Sequence, residues 1–139
     1  GEADLMSAGP ELVVVNTPLG ATGLATCYDL RFPEQFRELT RQGASAFLIT
    51  SGWPSARIHA WDVLVRARAI EDQAWVIACN QVGFQRGVYL GGHSAIVDPI
   101  GEVISRASTE ETILSATVAP DAVARWRSEF PALGDIVPF

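Results

Sequence analysis

The sequence contains no lysine. All ten basic residues among its 139 are arginine, set against 16 Asp and Glu for a formal net charge of −6. Any chemistry that requires an ammonium side chain must draw it from outside these residues. A chain of that charge, with a pI near 4.8, offers no basic face to a polyanion, so neither nucleic acid nor an anionic membrane is an expected partner. No apolar run approaches the ~18 residues that a membrane span needs. A basic segment followed by an apolar one, the mark of a secretory signal, is also missing from the start. There are two cysteines, Cys27 and Cys79. That is too few for a disulfide scaffold, and it points to free thiols in a reducing, cytoplasmic compartment.

What is present suits a single globular domain: 48% hydrophobic residues and 19% charged. Leu12 to Val15 and Leu24 to Cys27 read as short strands separated by Pro18, Gly20 and Gly23. Pro33 opens a helix over Glu34 to Gln42, with Phe36 and Leu39 at helical spacing and Gly43 as its stop. Ala46 to Thr50 and Trp75 to Asn80 read as buried strands. The helix between them, Ile58 to Gln73, places Ile58, Trp61, Val65 and Ala69 on one face. Ser94 to Asp98 and Glu102 to Arg106 flank Asp98-Pro99-Ile100-Gly101, a hairpin turn. Thr112 to Val118 reads as one more strand and Pro120 to Glu129 as a last helix. Strands alternating with helices, then a hairpin, predict an α/β layered fold with a mixed sheet.

Cys27 is the main candidate for chemistry. It stands where a strand passes into a helix, so its thiol can project from the carboxyl edge of a sheet. Free main-chain N–H groups just beyond it could receive an oxyanion. Cys79, inside an apolar strand, is expected to be buried and inert. His59 or His93 could serve as base for a self-contained Cys–His hydrolase, although neither sits in a telling motif. Two Cys and two His without short ligand spacing give no metal signature. Asp29, Arg31 and Glu34 read as a charge cluster that fixes the loop behind Cys27. Arg66, Arg68 and Glu71, separated by small apolar residues, read as paired and partly buried.

The segment Gly23-Leu24-Ala25-Thr26-Cys27-Tyr28-Asp29-Leu30-Arg31-Phe32-Pro33-Glu34 resembles the nucleophile region of the nitrilase superfamily, the carbon–nitrogen hydrolases. Three further segments resemble that family in the same order. They are Ser51-Gly52-Trp53-Pro54 with Arg57 and Trp61, then Ala67 to Gln73, and then Tyr89 to Gly101. The resemblance implies an α-β-β-α sandwich and a Glu-Lys-Cys catalytic set, with a second glutamate nearby. On it, Cys27 is the nucleophile, the Tyr28 N–H an oxyanion donor, Glu2 the second glutamate, and Trp53 and Arg57 line the substrate pocket. The general-base Glu and the Lys lie upstream in the family, so residues 1–139 are expected to be the C-terminal portion of one such domain, its N-terminal half missing. Ala60 stands where the family tends to have His, and Asp72 where Asn is usual.

The implied activity is hydrolysis of a small carboxylate-bearing amide, of the omega-amidase kind, through a Cys thioester with release of ammonia and without metal or organic cofactor. Deaminated-glutathione amidase is the near alternative. Nitrile hydrolysis fits less well with Cys27-Tyr28-Asp29. A fragment that only binds or associates is the alternative of another class. The expected assembly is a homodimer or a higher homo-oligomer.

Overall fold

The computed structural model describes residues 4, 7, 9–119 and 121–137. Glu2 lies outside them. Eleven regular elements follow one another: β1 (Val14–Thr17), β2 (Gly20–Thr26), α1 (Pro33–Arg41), β3 (Ala46–Ser51), α2 (Ile58–Asp72), β4 (Trp75–Asn80), β5 (Val82–Gln85), β6 (Val88–Gly91), β7 (Ala95–Val97), β8 (Val103–Arg106) and α3 (Ala122–Glu129). Six of the strands form one mixed sheet in the order β1-β2-β3-β4-β7-β8, and β5 with β6 forms a separate ribbon. Strands β2, β3 and β4 are parallel, while β1, β7 and β8 join antiparallel.

Two successive crossovers that step the same way along a sheet, each right-handed, must place their helices on the same face. Accordingly α1 and α2 share one core. Phe36 and Leu39 of α1 and Trp61, Val65 and Ala69 of α2 pack with Phe47, Ile49, Val76 and Ala78 of the sheet. Phe36 meets Phe47 edge to face, at 5.0 Å between centroids. Each fully buried side chain of this size stabilises the fold by roughly 1.5–3 kcal/mol. The expected helices, central strands and late hairpin are all present. Pro33 occupies the first position of α1, and the Gly101 N–H closes the hairpin turn on the Asp98 carbonyl at 3.0 Å.

Strand alternation sends the next residues to the opposite face. Leu24, Leu48, Ile77 and Ile96 lie side by side in register there, and one row on stand Thr26, Thr50 and Cys79. Helix α3 covers only one end of this face, where Val123 packs with Ala46 and Trp75. Leu24, Thr50 and Cys79 are exposed. The described residues therefore supply one helix layer and one sheet of the expected sandwich. No helix among them is long and apolar enough to cross a membrane.

One expectation needs correction, and one element was missed. Thr112 to Val118 has no regular secondary structure, although Leu114, Ala116 and Val118 are half-buried in alternation. A strand is defined by its ladder, and no neighbouring strand among the described residues pairs with it. The ribbon β5–β6 was not anticipated. Its turn runs through Arg86 and Gly87, both with positive φ, and Arg-Gly lacks the Asn-Gly or Asp-Gly pattern that marks such a turn in sequence.

The C-terminal end of α2 is closed by arginines. Arg127 donates through Nη2 to the Ala44 and Asp72 carbonyls, both at 2.9 Å, and through Nε to Gln73. Arg37 Nη1 lies 2.7 Å from the Glu71 carbonyl and 3.0 Å from Asp72 Oδ1. Asp72 is fully buried, and its Oδ2 has no hydrogen-bond partner among the described residues. Burial raises its pKa, outweighing Arg37, the Thr40 hydrogen bond and Arg68, which act the other way. The same burial lowers the pKa of Arg127. A carboxyl raised on folding contributes stability that is complete below its unfolded pKa and is lost as pH rises through the folded value. Asp72→Asn should therefore raise the melting temperature at pH 7, with the advantage over wild type fading as the pH is lowered toward the unfolded value near 4. Melting curves across that range check it; an advantage that grows on acidification contradicts the sign.

Candidate active site

Cys27 begins a short 3-10 turn, Cys27–Arg31, at the carboxyl end of β2. Its φ is +46°, a left-handed conformation that costs a non-glycine residue roughly 1–2 kcal/mol. Asp29 Oδ2 accepts the Thr26 N–H at 2.8 Å and holds the turn from outside. From inside, Arg68 of α2 donates through Nε and Nη2 to the Leu30 carbonyl at 3.2 and 3.0 Å. Arg68 is buried and pairs with Glu71 at 2.9 Å, as expected for that pair. Arg66 instead bonds the Gly101 carbonyl. The Tyr28 N–H sits in the first turn, where a helix leaves its donors without internal acceptors.

The loop after β3 supplies the opposite wall. Trp53 is buried, its main-chain N–H donating to Asn80 Oδ1 at 2.6 Å and its indole N–H to the Arg57 carbonyl at 2.8 Å. Cys27, Tyr28, Arg31, Trp53, Pro54 and Arg57 together line a cavity of about 370 Å³. Four of the residues expected at the site, Cys27, Tyr28, Trp53 and Arg57, are thus brought together.

Arg31 was expected to fix the loop with Asp29 and Glu34, and it does not. No ion pair joins these three among the described residues. Asp29 is engaged by the Thr26 N–H, while the Arg31 guanidinium lies 4.7 Å from the Trp53 ring centroid and 5.9 Å from that of Tyr28. Such cation–π contacts contribute about 0.5–2 kcal/mol and leave the N–H donors available. Nothing in the local sequence separates this geometry from a charge cluster, because Trp53 lies 22 positions away.

Cys27 also borders a second cavity, of about 320 Å³, with Thr26, Thr50, Ser51, Gly52, Cys79 and Gln81. Cys79 is exposed, which corrects the expectation of a buried thiol. An apolar strand has two faces, and β4 turns Val76 and Ala78 to the helices and Cys79 away from them. The Cys–His alternative loses its geometry as well. No histidine borders either cavity. His59 is exposed, and His93 is held by Asp62. No cluster of three or more His, Cys, Asp or Glu suited to a metal ion occurs among the described residues.

The carbon-nitrogen hydrolase family model matches residues 2–128. The chain belongs to that family. It is 45% identical over 139 residues to a 2-oxoglutaramate amidase of Paenarthrobacter nicotinovorans, covering 97% of this chain and 47% of that protein. It is 32% identical over 133 residues to an omega-amidase of Saccharomyces cerevisiae, covering 94% and 45%. A CN-hydrolase superfamily protein of Xanthomonas campestris, described with an arsenic adduct in its active site, superposes with a TM-score of 0.87 at 35% identity, over 96% of this chain and 53% of that one. The NitFhit protein of C. elegans superposes at 0.91 and 33%, over 97% and 34%. The chain spans about half the length of the curated relatives it matches.

The open face makes a direct prediction. Iodoacetamide should label both Cys27 and Cys79 in the folded 139-residue chain. Peptide mapping that finds Cys79 unmodified until denaturant is added would contradict the placement of β4.

Proposed function

We propose that these residues are the C-terminal portion of a single carbon–nitrogen hydrolase domain that cleaves a small carboxylate-bearing amide. The observation that carries this reading is Arg31, laid against Trp53 and facing the Cys27 cavity with no carboxylate among the described lining residues. Arg57 borders the same space. A guanidinium matches a carboxylate through two parallel hydrogen bonds, so the pair would hold a substrate by its acid end and present the amide to Cys27. The names of the relatives agree with this reading, since 2-oxoglutaramate carries both groups.

In this mechanism the Cys27 thiolate attacks the amide carbon. A C–S bond forms, and the oxyanion accepts the Tyr28 N–H. Protonation of the nitrogen releases ammonia and leaves a thioester, which water converts to the acid with return of the thiol. The proton transfers need a general acid–base, and the oxyanion a second donor. Among the described residues, neither cavity is lined by a carboxylate or an ammonium. These parts, with the second glutamate proposed at Glu2, are assigned to the family's upstream Glu and Lys. A deaminated glutathione amidase of Dictyostelium discoideum is also 43% identical over 107 residues, so a longer acid-bearing amide is the second reading. The half-covered sheet face supports burial against further chain or a second copy.

In the longer active protein, Cys27→Ala should abolish ammonia release. Arg31→Ala should raise KM for 2-oxoglutaramate about 10- to 100-fold, the value of one charge-assisted contact, with little effect on a neutral short amide. An active Cys27→Ala enzyme, or equal losses on both amides, would sink the reading. The 139 residues alone should show no turnover, because general acid–base help alone is worth about 10²–10⁴-fold.

A further inference from the structure

His93 has no place at either Cys27 cavity, yet its surroundings are costly to arrange. It follows Gly92 in a turn where both residues are left-handed, with φ of +63° and +59°. Glycine takes that conformation freely and histidine does not. The ring is held in return. Its Nδ1 lies 3.0 Å from each carboxylate oxygen of Asp62 on α2. Asp62 Oδ1 also meets Arg106 of β8 at 3.0 Å. Asp62 is the carboxylate bound at the ring and Arg106 pairs with it in turn, while the Ser108 carbonyl accepts the His93 main-chain N–H.

The same residue governs its neighbour on α2. The His93 carbonyl accepts the Trp61 indole N–H at 2.8 Å. Trp61 is fully buried and lies 5.7 Å from the Trp53 ring, against which Arg31 rests. Asp62 and Trp61 are adjacent in the chain, so the imidazole and the carbonyl of one residue grip consecutive positions of α2. A contiguous set of contacts runs from Asp62 through His93, Trp61 and Trp53 to Arg31.

We propose that His93 is a positioning residue. Gripped by Asp62, it fixes Trp61 and thereby the Trp53 platform that holds Arg31 for the substrate carboxylate. The substrate part rests on the amidase reading above; the clamp itself does not.

The test uses two variants. His93→Gly suits the left-handed turn and removes only the ring, while Asp62→Asn keeps the shape and removes the charge. Indole N–H signals of Trp53 and Trp61 are followed by ¹H–¹⁵N NMR in the longer protein. KM and kcat for 2-oxoglutaramate and for a neutral short amide are measured in the longer active protein. Both variants should shift both indole signals in the same direction. KM for the acid-bearing amide should rise roughly tenfold, since small misplacements of a binding group are costly, with kcat and the neutral amide nearly unchanged. Indole signals that stay in place in both variants overturn the clamp. Shifted signals with equal effects on both amides overturn its role toward the carboxylate. Absence of turnover in the unmodified longer protein would instead refute the amidase reading, and the NMR result would still decide the clamp.

Discussion

A buried side-chain amide has to satisfy its donors and its acceptor within the protein, and at Asn80 that requirement ties the site together. Asn80 ends β4 almost fully buried. Its carbonyl takes the Trp53 N–H at 2.6 Å, and its amino group donates to the Gly92 carbonyl at 2.6 Å. Its main-chain N–H is taken by the Ser94 hydroxyl. One residue at the tip of a central strand therefore sets the loop after β3, the turn before β7 and the entry to β7. Removing the amide would leave buried groups unpaired at a cost of about 1–3 kcal/mol each. The Trp53 wall owes its place to this residue as much as to the apolar core.

The absence of lysine finds its counterpart in how the arginines are used. Arg68 puts two nitrogens on one carbonyl, and Arg127 spreads two over three carbonyls. A planar fork can do this, whereas a compact ammonium has no fixed pair of donors to offer. Helix α2 is thereby fastened at its C-terminal end to α3 and, through Arg127, to the turn before β3, and one turn earlier, through Arg68, to the turn that carries Cys27. Four arginines, Arg37, Arg66, Arg68 and Arg127, thus satisfy main-chain oxygens.

The legible parts of the fold were those with local signals. Pro33 and Gly43 bracket α1, Trp61, Val65 and Ala69 mark the buried stripe of α2, and Asp98-Pro99-Ile100-Gly101 makes its own turn. Cys27 was visible as a strand-to-helix junction, and its neighbours in four ordered motifs. Features fixed by distant partners were not legible. An apolar run does not say which strand face is covered, so Cys79 was misplaced. Alternation in Thr112 to Val118 describes a chain able to pair, not one that has. Arg31 sits among acids in the sequence but among aromatic rings in space.

The backbone at Cys27 has a consequence for how this chain would change over generations. A left-handed residue other than glycine is a standing cost to the fold, and substitution by Gly would relieve it while leaving the 3-10 turn and its Asp29 contact in place. Stability alone thus pulls position 27 away from cysteine. A lineage freed from any need for the thiol would gain robustness by losing it, so Cys27 would be among the first parts to decay and the sheet among the last.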